Sequence, residues 1–446
     1  GIRDQPRSRG LGDVYKRQPQ SYQEEAMAAE KNGSTPDVTI LGAGIVGITT
    51  ALSLTERGFK VALIDRNPPA EGASYGNAGS LSPWSCVPQS MPGLWKSIPG
   101  WLLDPEGPVA LRTGYAIKFL PWAIKFFQSG QEYRLPAIAD AMRALTRPTV
   151  TLYRHHLKGT GSEELVRDSV YVHVFRNAAD ADLSKLGWRM RSERQVPLEV
   201  VKGDALREIE PALSQQFGAA VLIKQQGRAL DPGGIGKVLA EKAQTMGVSF
   251  MRSGVETLVP EAGGAWRIKP DAGPVKANQL VVAMGAWSGK LMQDLGIKAP
   301  LEAERGYHLV FRDPGVSLNN AIMNVDAKFV ISSMSAGVRC AGTAEFAGVD
   351  AAPDYRRARV FKKLAKDMFP DLNVDDVQEW MGPRPSTPDS VPYLGEVPGF
   401  ANLYAAYGHG HTGMTMAPKT GEIIASLIAG ETLGVNMTPY RIGRFG

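Results

Sequence analysis

The chain has 446 residues, 43% hydrophobic and 21% charged, a length for about three domains or for one or two large ones, and too apolar for a disordered, collagen-like or coiled-coil architecture. Its 50 Lys and Arg against 45 Asp and Glu leave a net charge of +5, scattered with no block of like sign, so nothing predicts a nucleic-acid-binding arm. Cys86 and Cys340 stand alone, without the spacing of a disulfide framework or a zinc site, which makes a reducing, cytoplasmic compartment the expectation.

No apolar run reaches the roughly 18 residues of a membrane-spanning helix. Gly1 to Thr35 is polar and aperiodic, and is expected to be a disordered or non-native extension outside the fold. The first strongly patterned segment, Val38-Thr39-Ile40-Leu41, reads as a buried strand leading into Gly42-Ala43-Gly44-Ile45-Val46-Gly47 and a helix over Ile48 to Arg57. A second apolar run, Val61 to Ile64, ends at Asp65. This is the strand, glycine turn, helix and strand of a dinucleotide site. Gly42 makes the tight turn, Gly44 lets the backbone approach a pyrophosphate, and Gly47 allows the helix to pack on the strand. Asp65, followed by Arg66, lies where a carboxylate can accept bonds from a ribose.

Four of the eight tryptophans, Trp84, Trp95, Trp101 and Trp122, crowd the stretch to Phe127, where Lys118 and Lys125 alternate with apolar residues. A basic, aromatic helix of this kind can lie on a membrane surface; the alternatives are a substrate-domain helix or a subunit contact. One helical stretch is predicted over Ala139 to Leu157. Within it, His155 and His156 project about 100° apart, poor geometry for a metal, so they are expected at the surface and no metal site is predicted. Ser169 to Phe175 reads as a strand, a charged, helix-rich stretch runs to Leu213, and Asp231-Pro232 precedes a helix over Gly234 to Met246. The strand Gln279 to Ala283 enters a second glycine turn through Gly285 and Trp287, expected to face the same crevice as the first. Near the end, Tyr407-Gly408-His409-Gly410-His411-Thr412-Gly413 opens a helix over Met414 to Ala429, a helix start where free amides can press against a ligand.

Gly42 to Asp65, Gly72 to Gly79, Asp231-Pro232, Ala283 to Ser288, Gly382-Pro383-Arg384-Pro385 and Gly408 to Gly413 occur in an order that resembles the FAD-dependent D-amino-acid oxidase and dehydrogenase family, nearest its bacterial D-amino-acid dehydrogenase small subunits. The likeness spans roughly residues 36 to 440. It implies an α/β, Rossmann-like FAD domain built from 36–83, 140–165, 231–297 and 379–440. It also implies an α+β substrate domain with a mixed, largely antiparallel sheet from 84–139, 166–230 and 298–378. By the same resemblance Gly42, Gly44, Ile45, Val46 and Gly47 face the pyrophosphate, and Asp65 and Arg66 the adenosine. Ser74, Asn77, Ala78 and Gly79 approach the flavin or its linker. Val255 meets the adenine; Ala283, Gly285 and Trp287 lie beside the dinucleotide; Gly382, Gly410, His411, Thr412, Gly413, Met414 and Thr415 complete the flavin site.

The resemblance assigns Arg384 to the substrate carboxylate, which a planar guanidinium can hold with two parallel bonds; the competing reading is an interdomain salt bridge. The same resemblance places Tyr307 and His308 near the substrate pocket, the alternative being ordinary strand residues of a sheet, and His409 beside the flavin. Hydride transfer from the α-carbon needs positioning and desolvation, without a dedicated base. The expected activity is oxidation of an amino acid, foremost a D-amino acid, to an imino acid that hydrolyses to a 2-oxo acid and ammonia. The alternatives are oxidation of secondary amines such as sarcosine, proline, hydroxyproline or opines, or service as a flavin-binding subunit. Non-covalent FAD, a quinone or other acceptor, contact with the inner face of the cytoplasmic membrane and an oligomer complete the expectations.

Overall fold

The computed structural model describes residues 35–271 and 273–446; the predicted extension lies outside them but for Thr35. Val38–Leu41, with every residue buried, is an inner strand of a six-stranded sheet in the order Tyr393–Glu396, Leu403–Tyr407, Gln279–Val282, Val38–Leu41, Val61–Asp65, Ser249–Arg252. All pairings are parallel except that of the edge strand Tyr393–Glu396. An apolar run buried on both faces has no alternation to read, as parallel strands covered by helices require. The helices Ile45–Thr55, Pro232–Thr245 and Gly413–Ile428 supply one cover through Ile48, Leu52, Ile235, Leu239, Ala417 and Ile424. A three-stranded antiparallel sheet, Val255–Pro260, Trp266–Pro270 and Val275–Ala277, contributes Leu258, Trp266 and Ile268 to a second apolar cluster with Leu41, Ile64 and Val282.

The strand order reverses beside Val38–Leu41, because its neighbours are Val61–Asp65, next in the chain, and Gln279–Val282, which arrives after more than 200 residues. Such a switch point opens a crevice at the carboxyl ends of the strands. Gly42 sits there at φ +106°, a conformation that glycine adopts without strain, and a Cβ on it would lie 2.4 Å from the Ala283 carbonyl oxygen. Gly47 packs the helix onto that turn, where a Cβ would meet the Gly42 oxygen at 1.9 Å.

The second sheet has a ten-strand framework, mixed and largely antiparallel as expected. Its main path runs Val377–Ser386, Glu302–Phe311, Gly337–Phe346, Phe329–Met334, Ala321–Asn324, Val166–Phe175, Ala219–Ala229, Ser80–Leu81. Parallel pairing enters where Ala321–Asn324 joins Val166–Phe175 and where Val109–Leu111 joins Gly337–Phe346. Phe361, Ala365 and Met368 of the Arg356–Met368 helix close one core of this sheet with Leu309, Phe329 and Ile331.

Several expectations shift. Residues 379–386 and Ser80–Leu81, expected in the nucleotide domain, pair in the larger sheet. The stretch over 139–157 is two helices, Leu135–Thr146 and Thr149–Leu157, because Pro148 has no N–H to continue the first. The nucleotide-turn helix starts earlier, at Ile45, and the charged stretch before Leu213 includes the strand Leu198–Lys202. His156 is buried while His155 is exposed.

The Gly47 contact is with backbone, which cannot swing aside. Gly47→Ala should therefore cost about 1–3 kcal/mol in urea unfolding, the usual price of overpacking, and weaken retention of bound flavin. Unchanged unfolding would show that the turn can relax.

Candidate active site

The crevice continues into a cavity of about 950 Å³ between the two sheets, at the upper end of the range for ligand pockets. Both glycine turns reach it, as the sequence predicts: Gly42, Gly44, Ile45 and Val46 from the first, Ala283, Gly285 and Trp287 from the second. Asp65, Arg66, Ser74, Asn77, Ala78, Val255, Gly382 and the run Gly410, His411, Thr412, Gly413, Met414 and Thr415 also line it. Gly47 and Gly79 do not. Gly47 acts through packing, and the Gly79 carbonyl accepts a bond from the Ala229 amide, tying the loop to the larger sheet.

Two helix starts point their amides at this space. The Ile45–Thr55 helix has no side-chain cap and no acid in its first turn, and the Ile45 amide donates to Ser74 Oγ at 3.1 Å. The Gly413–Ile428 helix is likewise uncapped and free of acid at its start, with Gly410–Thr412 as a 3₁₀ turn before it. Positive helix ends with unspent N–H groups favour anions. Asp65 accepts from the Ala43 amide at 2.7 Å and the Asn67 amide at 2.9 Å, keeping acceptor capacity over; burial raises its carboxyl pKa. The Arg66 guanidinium lies 5.0 Å from the Trp287 ring centre, so two residues from opposite turns make one wall. Anion-binding amides, a ribose-type acceptor and a long apolar cavity together fit a flavin dinucleotide.

The larger sheet holds the 74–79 loop from the other side. Arg339 Nη1 donates to the carbonyls of Tyr75 at 3.0 Å and Asn77 at 2.8 Å, Ser332 Oγ to that of Ala78 at 3.3 Å, and His308 Nδ1 lies 3.2 Å from the Gly76 oxygen. His308 stacks on Trp380 with ring centres 4.8 Å apart.

Arg384 lines the cavity and is not a free side chain. Its Nη1 donates to Glu304 Oε1 at 2.8 Å and the Thr343 carbonyl at 2.9 Å, and its Nη2 to the Gly342 carbonyl at 3.2 Å. Glu304 and Arg384 are cross-strand partners in register, so the competing salt-bridge reading is realised inside one sheet, at the cavity wall. Three bonds still leave two of the five guanidinium N–H groups. His411 Nε2 meets the same Glu304 oxygen at 2.5 Å, and Ser386 Oγ donates to the other at 2.9 Å. Burial alone would raise the Glu304 carboxyl, but His411, Arg384 and Ser386 pull it down to about 2.

Sequence reasoning missed Glu304, Arg339 and Trp380. The available signal for Glu304 was Glu302, Glu304 and Arg305 inside a strand whose ten residues are all buried. Tyr307 is a cavity-lining residue whose side chain packs in the core of the larger sheet, where its hydroxyl donates to Glu345 at 2.6 Å and accepts from the Asp354 amide at 2.9 Å. Burial and Glu345 push that hydroxyl up to about 12. His409 is buried with Nε2 3.0 Å from Thr420 Oγ1, and burial holds it down to about 3, so it is a neutral wall residue.

A glycine-turn crevice at a sheet switch point, facing a buried charged wall on a second, mixed sheet, is the architecture of a flavin oxidoreductase. The chain belongs to the DAO family of FAD dependent oxidoreductases, whose model matches residues 37–427, and FAD is its cofactor. A D-amino-acid oxidase of Bradyrhizobium diazoefficiens is 36% identical, covering 92% of this chain and 98% of that protein. A D-amino acid dehydrogenase of Allorhizobium ampelinum is 30% identical over 92% of this chain and all of that one. Among solved structures, glycine oxidase from Geobacillus kaustophilus shares the fold with a TM-score of 0.70 at 21% identity, covering 92% of this chain and 99% of that one. L-proline dehydrogenase from P. horikoshii has a TM-score of 0.70 at 20% identity, covering 92% and 98%.

His308 is held down to about 3, by burial and the neighbouring Arg339 charge, as His409 is by burial. Both ionise near 6.5 once unfolded, so the unfolded chain binds protons that the folded one refuses, and stability falls as pH drops below about 6.5. The thermal midpoint should decline between pH 6.5 and about 5, above the carboxylate range, and His409→Gln should flatten that decline. A midpoint independent of pH across this window would contradict the neutral buried state.

Proposed function

We propose that the enzyme oxidises D-amino acids, with Arg384 gripping the substrate carboxylate through its remaining N–H groups. The observation that carries this reading is the guanidinium on the cavity wall, clamped by Glu304 and two carbonyls so that it meets a ligand in one fixed orientation. The names of the D-amino-acid oxidase and dehydrogenase relatives support the choice of substrate class.

FAD, when bound, accepts the hydride of the α-carbon, leaving an imino acid that water converts to a 2-oxo acid and ammonia. The Gly42 to Val46 turn would hold the pyrophosphate, and Asp65, Arg66, Val255 and Trp287 the adenosine. Ser74, Asn77 and Ala78 would hold the flavin, and the Gly410 to Thr415 amides its pyrimidine edge. That last placement suits reduced flavin, because a positive helix end stabilises negative charge there. Neither buried cysteine lines the cavity, which supports non-covalent attachment.

The acceptor reading is a membrane quinone. Of the ten large apolar side chains exposed among the described residues, eight lie between 95 and 133: Trp95, Leu102, Leu103, Ile117, Leu120, Ile124, Phe127 and Tyr133. Lys96, Lys118 and Arg134 are exposed beside them, and Leu102 and Phe127 also line the cavity. An apolar surface with a basic rim beside the cavity suits contact with an anionic bilayer. Two of the tryptophans lie inward: Trp84 and Trp122 are buried, Trp122 donating to the Ser386 carbonyl at 2.9 Å, and the exposed surface is mainly aliphatic. Among the described residues no helix is long and apolar enough to cross a membrane.

Anaerobic mixing with a panel of D-, L- and N-methyl amino acids should bleach the flavin with D-amino acids first; bleaching by N-methyl amino acids alone would replace the substrate class. Arg384→Ala should keep flavin and raise KM for carboxylate substrates by roughly 30- to 800-fold, the equivalent of about 2 to 4 kcal/mol for a charge-assisted pair. Unaltered kinetics would remove the clamp. The protein should float with anionic vesicles and reduce a quinone analogue faster than oxygen, and Ile117→Glu with Leu120→Glu should abolish flotation while preserving bleaching. Flotation that survives both changes would refute this docking face.

A further inference from the structure

Outside the cavity lining, Glu56 caps the carboxyl end of the Ile45–Thr55 helix, and His155 and His156 occupy the last turn of Thr149–Leu157. Adjacent residues on one helix diverge, but the two rings here present different nitrogens and a residue from a second helix stands between them. Glu56 Oε1 lies 3.1 Å from His155 Nε2 and 3.7 Å from His156 Nδ1, and the three atoms fall within 4.8 Å of one another. Ligands about 2.1 Å from a tetrahedral zinc are separated by roughly 3.4 Å, a value bracketed by the two distances from Glu56.

His156 makes the cluster more than a surface ion pair. It is 1% exposed, and neither ring nitrogen has a hydrogen-bond partner, although Nδ1 faces the Glu56 carboxylate. A buried polar atom left unpaired is costly, and a coordinated metal would satisfy Nδ1. His155 and Glu56 are open to solvent, with side-chain exposures of 59% and 31%, which leaves room for water as a fourth ligand. Two helix carboxyl ends converge here, and their negative dipole ends favour a cation. The neighbouring cation, Lys242, has its Nζ on the carbonyl oxygens of His156 and Lys158 and outside the ligand triangle.

We propose that Glu56, His155 and His156 bind a divalent transition metal of the zinc class. Two imidazoles with one carboxylate select such an ion over calcium or magnesium, which prefer all-oxygen shells. The metal would fasten together two helices that serve the nucleotide crevice. One begins at the phosphate turn, and the other carries Tyr153, whose hydroxyl donates to the Met414 carbonyl at 2.7 Å on the cavity wall. The inference is independent of which amine is oxidised.

The test is equilibrium dialysis of the tag-free holoenzyme against micromolar Zn²⁺, followed by elemental analysis, with Co²⁺ absorption read beyond the flavin band. One zinc per chain and a raised thermal midpoint are expected. His155→Ala and Glu56→Gln should each weaken binding at least about tenfold, since loss of even an outer partner costs about 10- to 100-fold, and should abolish the midpoint shift. Asp168→Asn, an exposed carboxylate paired with Arg154, should bind as the parent does. Absence of stoichiometric zinc, or zinc retained undiminished in both ligand variants, would overturn the site; both variants are exposed enough to fold.

Discussion

The functional architecture depends on the absence of two side-chain atoms. Without a Cβ, the Gly42 turn presses against the Ala283 carbonyl, and Gly47 lets the following helix settle onto that turn. The two glycine turns thereby meet at the switch point of the sheet, and an uncapped helix end is aimed along the crevice. The second uncapped helix start, at Gly413, reaches the same cavity, and its helix packs closely on the first, where a Cβ on Gly421 would lie 2.6 Å from the Thr49 carbonyl oxygen. There Thr49 Oγ1 donates to the Ala417 carbonyl at 2.9 Å.

Facing this cradle, the wall formed by the larger sheet concentrates charge in a buried place. Arg384 and His411 converge on Glu304, which stays ionised because those partners outweigh its burial. An ion pair with one buried partner rarely adds much net stability, since desolvation offsets most of the attraction. Its value here is orientation. The cross-strand register fixes Glu304 opposite Arg384, and the carbonyls of residues 342 and 343 fix the guanidinium from a third strand. Arg339, His308 and Ser332 similarly fasten the 74–79 loop to the larger sheet, so both sides of the cavity share one framework.

The aromatic segment shows why composition and exposure differ. Its tryptophans suggested a membrane surface, yet Trp122 fills the core and anchors its helix, while Ile117, Leu120 and Ile124 face outward. Which face of an amphipathic helix turns inward depends on what packs beneath it. Here Phe119 and Trp122 lie against Phe346, with ring centres 4.4 Å and 5.8 Å apart, a residue more than 200 positions away.

Local chemistry made the nucleotide half legible in the sequence. Strand, glycine turn, helix and terminal acid lie within Val38 to Asp65, and each residue type has a backbone reason to be where it is. The second glycine turn and the glycine-rich helix start were also visible, because short-range backbone demands leave short-range marks. Tertiary structure alone decided that Arg384 is paired with Glu304, that the Tyr307 hydroxyl is tied to Glu345, and that Glu56 meets two histidines from another helix. These contacts join residues separated by 38 to 100 positions, and no local propensity records which strands or helices will lie side by side.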